Sequence, residues 1–177
     1  MFVLYAIVIG LVLGRALGGR LDGLATLSFR WPWVAIVGLA AQVALFAAPQ
    51  SAALAAVGPA AYVASTAAVL LFVLANLRIR GMAVVALGAA LNLVAIVANG
   101  GVMPASRSAL AAAGLDAGSG FTNSNVLASP VLAPLGDVFA MPAWMPLANV
   151  FSIGDALIAL GIAVVLAAAM RVPGREG

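Results

Sequence analysis

Between Trp31 and Leu77 the sequence runs for 47 residues without a charged side chain. About 20 helical residues cross a ~30 Å hydrocarbon layer, so this stretch alone has room for two passes. The remainder agrees: charged residues fill 7% of the 177 positions, against roughly a quarter in soluble domains. The expected fold class is an all-α membrane protein, with 1–177 as a single polytopic domain.

The residues that are missing exclude much chemistry. The chain has no Cys, no His and no Lys. Zinc, iron–sulfur and haem sites have almost no ligands left, so no metal and no cofactor is expected. Cys–His, Ser–His–Asp and lysine-based nucleophiles are excluded as well. Any catalysis falls to Asp22, Asp116, Asp137, Asp155 and Glu176, helped by Ser, Asn, Tyr or Arg.

The eight arginines account for the net charge of +3. They stand singly at the ends of apolar segments, without a patch or interleaved aromatics, so nucleic acid is not expected as a partner. Their positions instead delimit helices at about 1–18, 32–48, 60–77, 82–98 and 152–170, with a charge-free turn around Ala48–Pro59. Trp31 and Trp33 suit an interface belt, and Pro32 suits a first helical turn. With five spans, every arginine except Arg107 falls on one side. The positive-inside rule then puts the N-terminus outside, the C-terminus in the cytoplasm and the 99–150 segment on the outer face.

That outer segment is the place to look for a site, since loops of such length are functional or disordered. Its middle, GSGFTNSNVLASP, is polar, and its end, LGDVFAMPAWMPLANVFS, is apolar enough to rest in the interface. A packed cap without a ligand is the alternative. Asp137 and Asp155 flank this apolar shelf, and two carboxylates sharing a proton can activate water. Each also has a structural reading. Ser152-x-x-Asp155 is a helix-start signature, and Asp137 after Gly136 suits a turn. Asn92 and Asn99 share a helix face; Asn92 reads as interhelical glue and Asn99 as the better ligand candidate. Gln42 and Asn76 read as packing groups. Gly10, Gly14 and Gly18 permit close helix approach, within the chain or in a dimer.

The phrases LNLVAIVANGGVMPAS, LGDVFAMP and NVFSIGDALIALGI resemble those of a bacterial multi-pass membrane family of unknown function, which implies an inner-membrane location. Separately, Phe151, Asp155, Ile158 and Gly161 are similar, in register, to the last motif of lipoprotein signal peptidase, F-N-x-A-D-x-x-I-x-x-G, whose Asp is catalytic. The partner aspartate of that enzyme lies some twenty residues upstream, and Asp137 precedes Asp155 by eighteen. The sequence departs from the peptidase at Ser152, where the family has Asn. It departs again at Ala133, Pro134 and Val138, where the partner motif has Gly, Asn and Arg.

Two functions are therefore expected as alternatives. One is an aspartyl hydrolase acting on a lipid-anchored or membrane-protein substrate, with Asp137 and Asp155 catalytic and Asn99 and Ser152 supporting. The other is a non-catalytic subunit or scaffold in a homo- or hetero-oligomer. The lipid bilayer is a partner in both.

Overall fold

A computed structural model describes residues 2–49, 51–116 and 122–172, and the described chain is mostly helical. The helices are α1 (Phe2–Ala16), α2 (Pro32–Ala47), α3 (Ala52–Ala75), α4 (Met82–Ala98), the short α5 (Arg107–Ala112) and α6 (Ile153–Met170). Two of them, α3 with 24 residues and α6 with 18, are long and apolar enough to cross a membrane; α1, α2 and α4 are apolar but shorter. Residue 1 of the expected first helix, part of the polar stretch (117–121), and Arg175 and Glu176 lie outside the described residues.

Local chemistry sets most of the helix starts. Trp31 turns the chain at φ 52° and Pro32 occupies the first turn of α2. Ser51 accepts a hydrogen bond from the Leu54 amide at 3.1 Å to cap α3, and Gly81, at φ 99°, precedes α4. Ser152 and Asp155 form the reciprocal capping box of α6, as the Ser-x-x-Asp pattern foretold.

The third helix differs from expectation. It begins at Ala52 rather than near residue 60, and Pro59 lies inside it. Proline removes one intrahelical donor, but the Ser51 cap holds the preceding turns. On the outside, Gly101 lies against the ring so closely that a Cβ there would come within 2.5 Å of Pro59 Cβ. The first helix is shorter than expected, ending at Ala16, after which Gly18 (φ 82°) turns the chain.

Small residues fix the helix directions. Gly10 faces Ala163, and Gly14 faces Ala167 and Met170, so α1 runs parallel to α6. The glycine pattern thus packs within the chain, except Gly18, which has no neighbour within 4 Å of a built Cβ. On α4, Gly81 lies against Gly161 and Gly88 against Gly154, so α4 and α6 are antiparallel. Helices α2 and α3 are antiparallel too, joined by Gln42 Nε2 donating to Thr66 Oγ1 at 3.3 Å and by the edge-on rings of Phe46 and Tyr62. The packing order is α1, α6, α4, α3, α2.

These directions bring Arg15, Arg20, Arg30, Arg78, Arg80 and Arg171 to one end of the bundle. Asn76 closes that end, as a packing group should. It is fully buried, its Oδ1 accepts the Arg30 amide at 2.7 Å, and its Nδ2 donates to the carbonyls of Arg30 and Phe72. The outward faces are apolar: Val12 is 61% exposed, Ile36 66%, Val43 70%, Val57 60% and Leu160 55%. Contiguous apolar surface of this kind is foreign to a monomer in water.

The segment between α4 and α6 caps the opposite end as a small folded lobe. It holds α5, a parallel pair β1 (Met103–Pro104) with β2 (Ser124–Asn125), and an antiparallel pair β3 (Phe139–Ala140) with β4 (Val150–Phe151). Ala109, Leu110, Ala113 and Val150 form its own small core. Tyr5 Oη donates to the Pro146 carbonyl at 2.5 Å, tying the lobe to α1.

Candidate functional site

Because α1 packs on α6 and α2 on α3, the inner faces of the helices curve around a cleft. Its volume is about 690 Å³, and it reaches from the lobe toward the arginine end. Val69, Phe72, Val85, Ile162 and Leu166 line the far part. Gln42, Tyr62, Thr66, Asn92, Ser124 and both aspartates, Asp137 and Asp155, line the part near the lobe. No basic side chain lines the cleft among the described residues.

Asp155 is placed by the crossing of α4 over α6. Gly88 and Gly154 let the helices approach until a Cβ on Gly154 would come within 1.9 Å of Asn92 Oδ1. At that crossing Asn92 Nδ2 donates to Asp155 Oδ1 at 2.8 Å. The Ser152 amide donates to Asp155 Oδ2 at 3.0 Å, and the Ser152 hydroxyl donates to Asn92 Oδ1 at 2.8 Å. Both oxygens of Asp155 thus accept. Ser152 itself is completely buried and acts on the cleft only through Asn92 and Asp155.

Asp137 is placed by the lobe. Its amide donates to the Pro104 carbonyl at 2.8 Å and its carbonyl accepts the Ser106 amide at 3.0 Å, forming a bridge beside β1. Gly136 permits this, since a Cβ there would meet the Pro104 carbonyl at 2.4 Å. The Asp137 side chain is 4% exposed. Its Oδ2 accepts the Ser124 hydroxyl, while Oδ1 is buried with no hydrogen-bond partner. Burial pushes the carboxyl up to about 7; the Ser124 hydroxyl opposes that rise and the charge of Asp155 adds to it. A carboxyl so placed keeps its proton well above the usual carboxylate range and is half protonated near pH 7.

The structure therefore brings Asp137 and Asp155 to one cleft, in contrasting environments and without a hydrogen bond between them. Asn99 lies elsewhere. Its Nδ2 donates to the carbonyls of Ala95 and Val131 and its Oδ1 accepts the Val131 amide, all at 2.8 Å. It latches the lobe to the end of α4 and does not line the cleft. Asn92 takes the place at the carboxylate for which Asn99 was the better candidate. Ser124 and Tyr62 were missed: Ser124 lies in a polar run with no pattern, and Tyr62 is one aromatic in an apolar helix. Asp116 is exposed at the lobe surface.

The class that these features define is an apolar helical bundle, with two helices able to cross a membrane and an acidic cleft beneath a small lobe. The chain belongs to DUF5317, a family of unknown function, whose model matches residues 26–167. No curated protein and no solved structure matches the chain.

Proposed function

We propose that this chain crosses a membrane five times and that its cleft is a hydrolytic site for a membrane-borne substrate, with Asp155 as base and Asp137 as acid. The observation that carries the reading is the contrast between the two carboxyls of one cleft. Asp155 is held as an acceptor by Asn92 and the Ser152 amide, whereas Asp137 has a buried, unpartnered Oδ1. Two carboxyls in such different hydrogen-bonding environments can divide acid and base roles between them. The likeness of residues 151–161 to the last motif of lipoprotein signal peptidase supports the same assignment for Asp155.

The alternating helix directions and the apolar outer faces support the five-span reading. At 15, 16 and 17 residues, α1, α2 and α4 rise ~22–26 Å, and apolar flanks with snorkelling arginines extend them. The arginine end faces the cytoplasm by the positive-inside rule and the lobe faces outward. A bacterial inner membrane suits this arrangement.

The chemistry balances at an acyl bond. Asp155 takes a proton from water as the water oxygen attacks the carbonyl carbon, and Asp137 gives its proton to the carbonyl oxygen. On collapse the bond to the leaving group breaks; the leaving group takes the proton from Asp155 and the hydroxyl returns one to Asp137. Ser152 and Asn92 position Asp155 rather than touch substrate.

The test compares membrane lipids and lipid-anchored peptides, by mass spectrometry, in cells lacking the gene and cells complemented with wild type, Asp137→Asn or Asp155→Asn. One acylated species should accumulate in the deletion and in both variants. Full complementation by both variants overturns the reading; a stoichiometric co-purifying protein, unaffected by them, would then identify a non-catalytic subunit.

A further inference from the structure

We infer that the cleft takes a single-chain, uncharged amphiphile, its head oxygen accepting a hydrogen bond from Asp137 and its chain lying along the inner face of α6. The inference names the substrate class for the reading above and rests on it for turnover, though not for binding.

Three features point to such a ligand. The first is length and polarity. Polar groups cluster at the lobe end and only apolar side chains line the far part. From Asp155 to Leu166, both lining residues, α6 rises ~16 Å, the reach of an extended chain of roughly 12 carbons. The second is volume. At about 30 Å³ per water-sized group, the ≈ 690 Å³ of the cleft holds roughly 23 non-hydrogen atoms. That accommodates a monoacyl glycerol and falls far short of a two-chain phospholipid.

The third is charge. With two aspartates in the wall and no basic side chain among the described lining residues, a phosphate or carboxylate head would find no counter-charge there. The free atom at the polar end is Asp137 Oδ1, buried and without a partner, while Oδ2 is occupied by the Ser124 hydroxyl. A protonated carboxyl so arranged has one donor left for a ligand, and a carbonyl or ether oxygen at the polar end of the cleft satisfies it. Hydrolysis would turn a neutral ligand into a carboxylate beside Asp155, and so favour product release.

The opening lies between α1 and α2. Val3 and Ile7 of α1 and Ala35 and Leu39 of α2 line the cleft, and these two helices lack the extensive packing that joins the other neighbours. A chain can thus enter sideways from lipid.

The experiment uses the full chain in nanodiscs of zwitterionic phospholipid, with five 12-carbon probes. These are 1-dodecanoylglycerol, its uncleavable ether 1-O-dodecylglycerol, dodecanoate, dodecyl phosphate and dodecylammonium. The two glycerol probes should bind at least tenfold more tightly than any charged probe. Affinity for the ether should rise with chain length to roughly 12 carbons and then level. Asp137→Asn keeps a donor at the free position and an acceptor for Ser124, so it should bind the ether within threefold of wild type, whereas Asp137→Leu should lose at least tenfold. Equal or tighter binding of any charged probe overturns the inference, as does no binding of the glycerol probes or no loss in Asp137→Leu. Binding of 1-dodecanoylglycerol without release of dodecanoate sinks the hydrolase reading alone.

Discussion

Asn92 donates to Asp155 Oδ1 at 2.8 Å beside the close contact of Gly88 on α4 with Gly154 on α6. One amide side chain thereby joins the middle of the bundle to the start of its last helix, and its own oxygen is taken by Ser152. Replacing Asn92 with Leu leaves the Ser152 hydroxyl and one Asp155 oxygen without their partner. Loss of such buried bonds costs about 1–3 kcal/mol, which should appear as a lower unfolding midpoint in detergent. Ser152→Ala removes the cap and the same link, and should cost a similar amount. The double variant should cost less than the sum, because the two residues share one network.

The glycines of the α4–α6 crossing give a sharper contrast. Gly154→Ala places a methyl within 1.9 Å of Asn92 Oδ1 and should destabilise by about 1–3 kcal/mol through overpacking. Gly18→Ala meets nothing within 4 Å and carries only the strain of its positive φ, on the order of 1 kcal/mol. Unfolding in mixed detergent ranks the two. An equal effect would contradict the close crossing.

Stability should depend on pH through Asp137. Its folded-state pKa, about 7, is above the ordinary carboxyl value of 3.8, so between those values the folded chain holds a proton that the unfolded chain releases. Stability is then greatest below about pH 4 as far as this group is concerned, falls as pH rises toward about 7, and is level above. Each unit of the difference is worth ~1.4 kcal/mol. In Asp137→Asn the slope between those values should disappear, which a series of denaturation curves at stepped pH measures directly.

The Asn99 latch makes a separate prediction. Asn99→Ala breaks both links to Val131 and should speed amide hydrogen exchange over residues 131–135. Binding in the cleft should stay within twofold of wild type, since Asn99 does not line it.

The starts of α2, α4 and α6 were legible because each rests on a local signal: Pro32, the arginines at 78 and 80, and the Ser152–Asp155 box. The start of α3 was not. Pro59 reads locally as a break, and only the contact with Gly101, far along the chain, shows how the helix accommodates it. The site divides along the same line. Asp155 announces itself through its cap, and Asp137 through its place beside the apolar shelf. Ser124 owes its role to the pairing of β2 with β1, and Asn92 to a glycine on another helix, neither of which leaves a periodic trace. The small strands escaped for a similar reason, each being only two residues long.

The parallel docking of α1 on α6 sets an order of assembly. A ribosome makes the first of these helices long before the second, so the glycine face of α1 has no proper mate during most of synthesis. Until α6 arrives, neither wall of the cleft on that side exists, and Asp155 has not met Asn92. The acidic chamber is therefore completed only when α6 docks, and a nascent chain halted ahead of residue 153 would carry Asp137 without its counterpart.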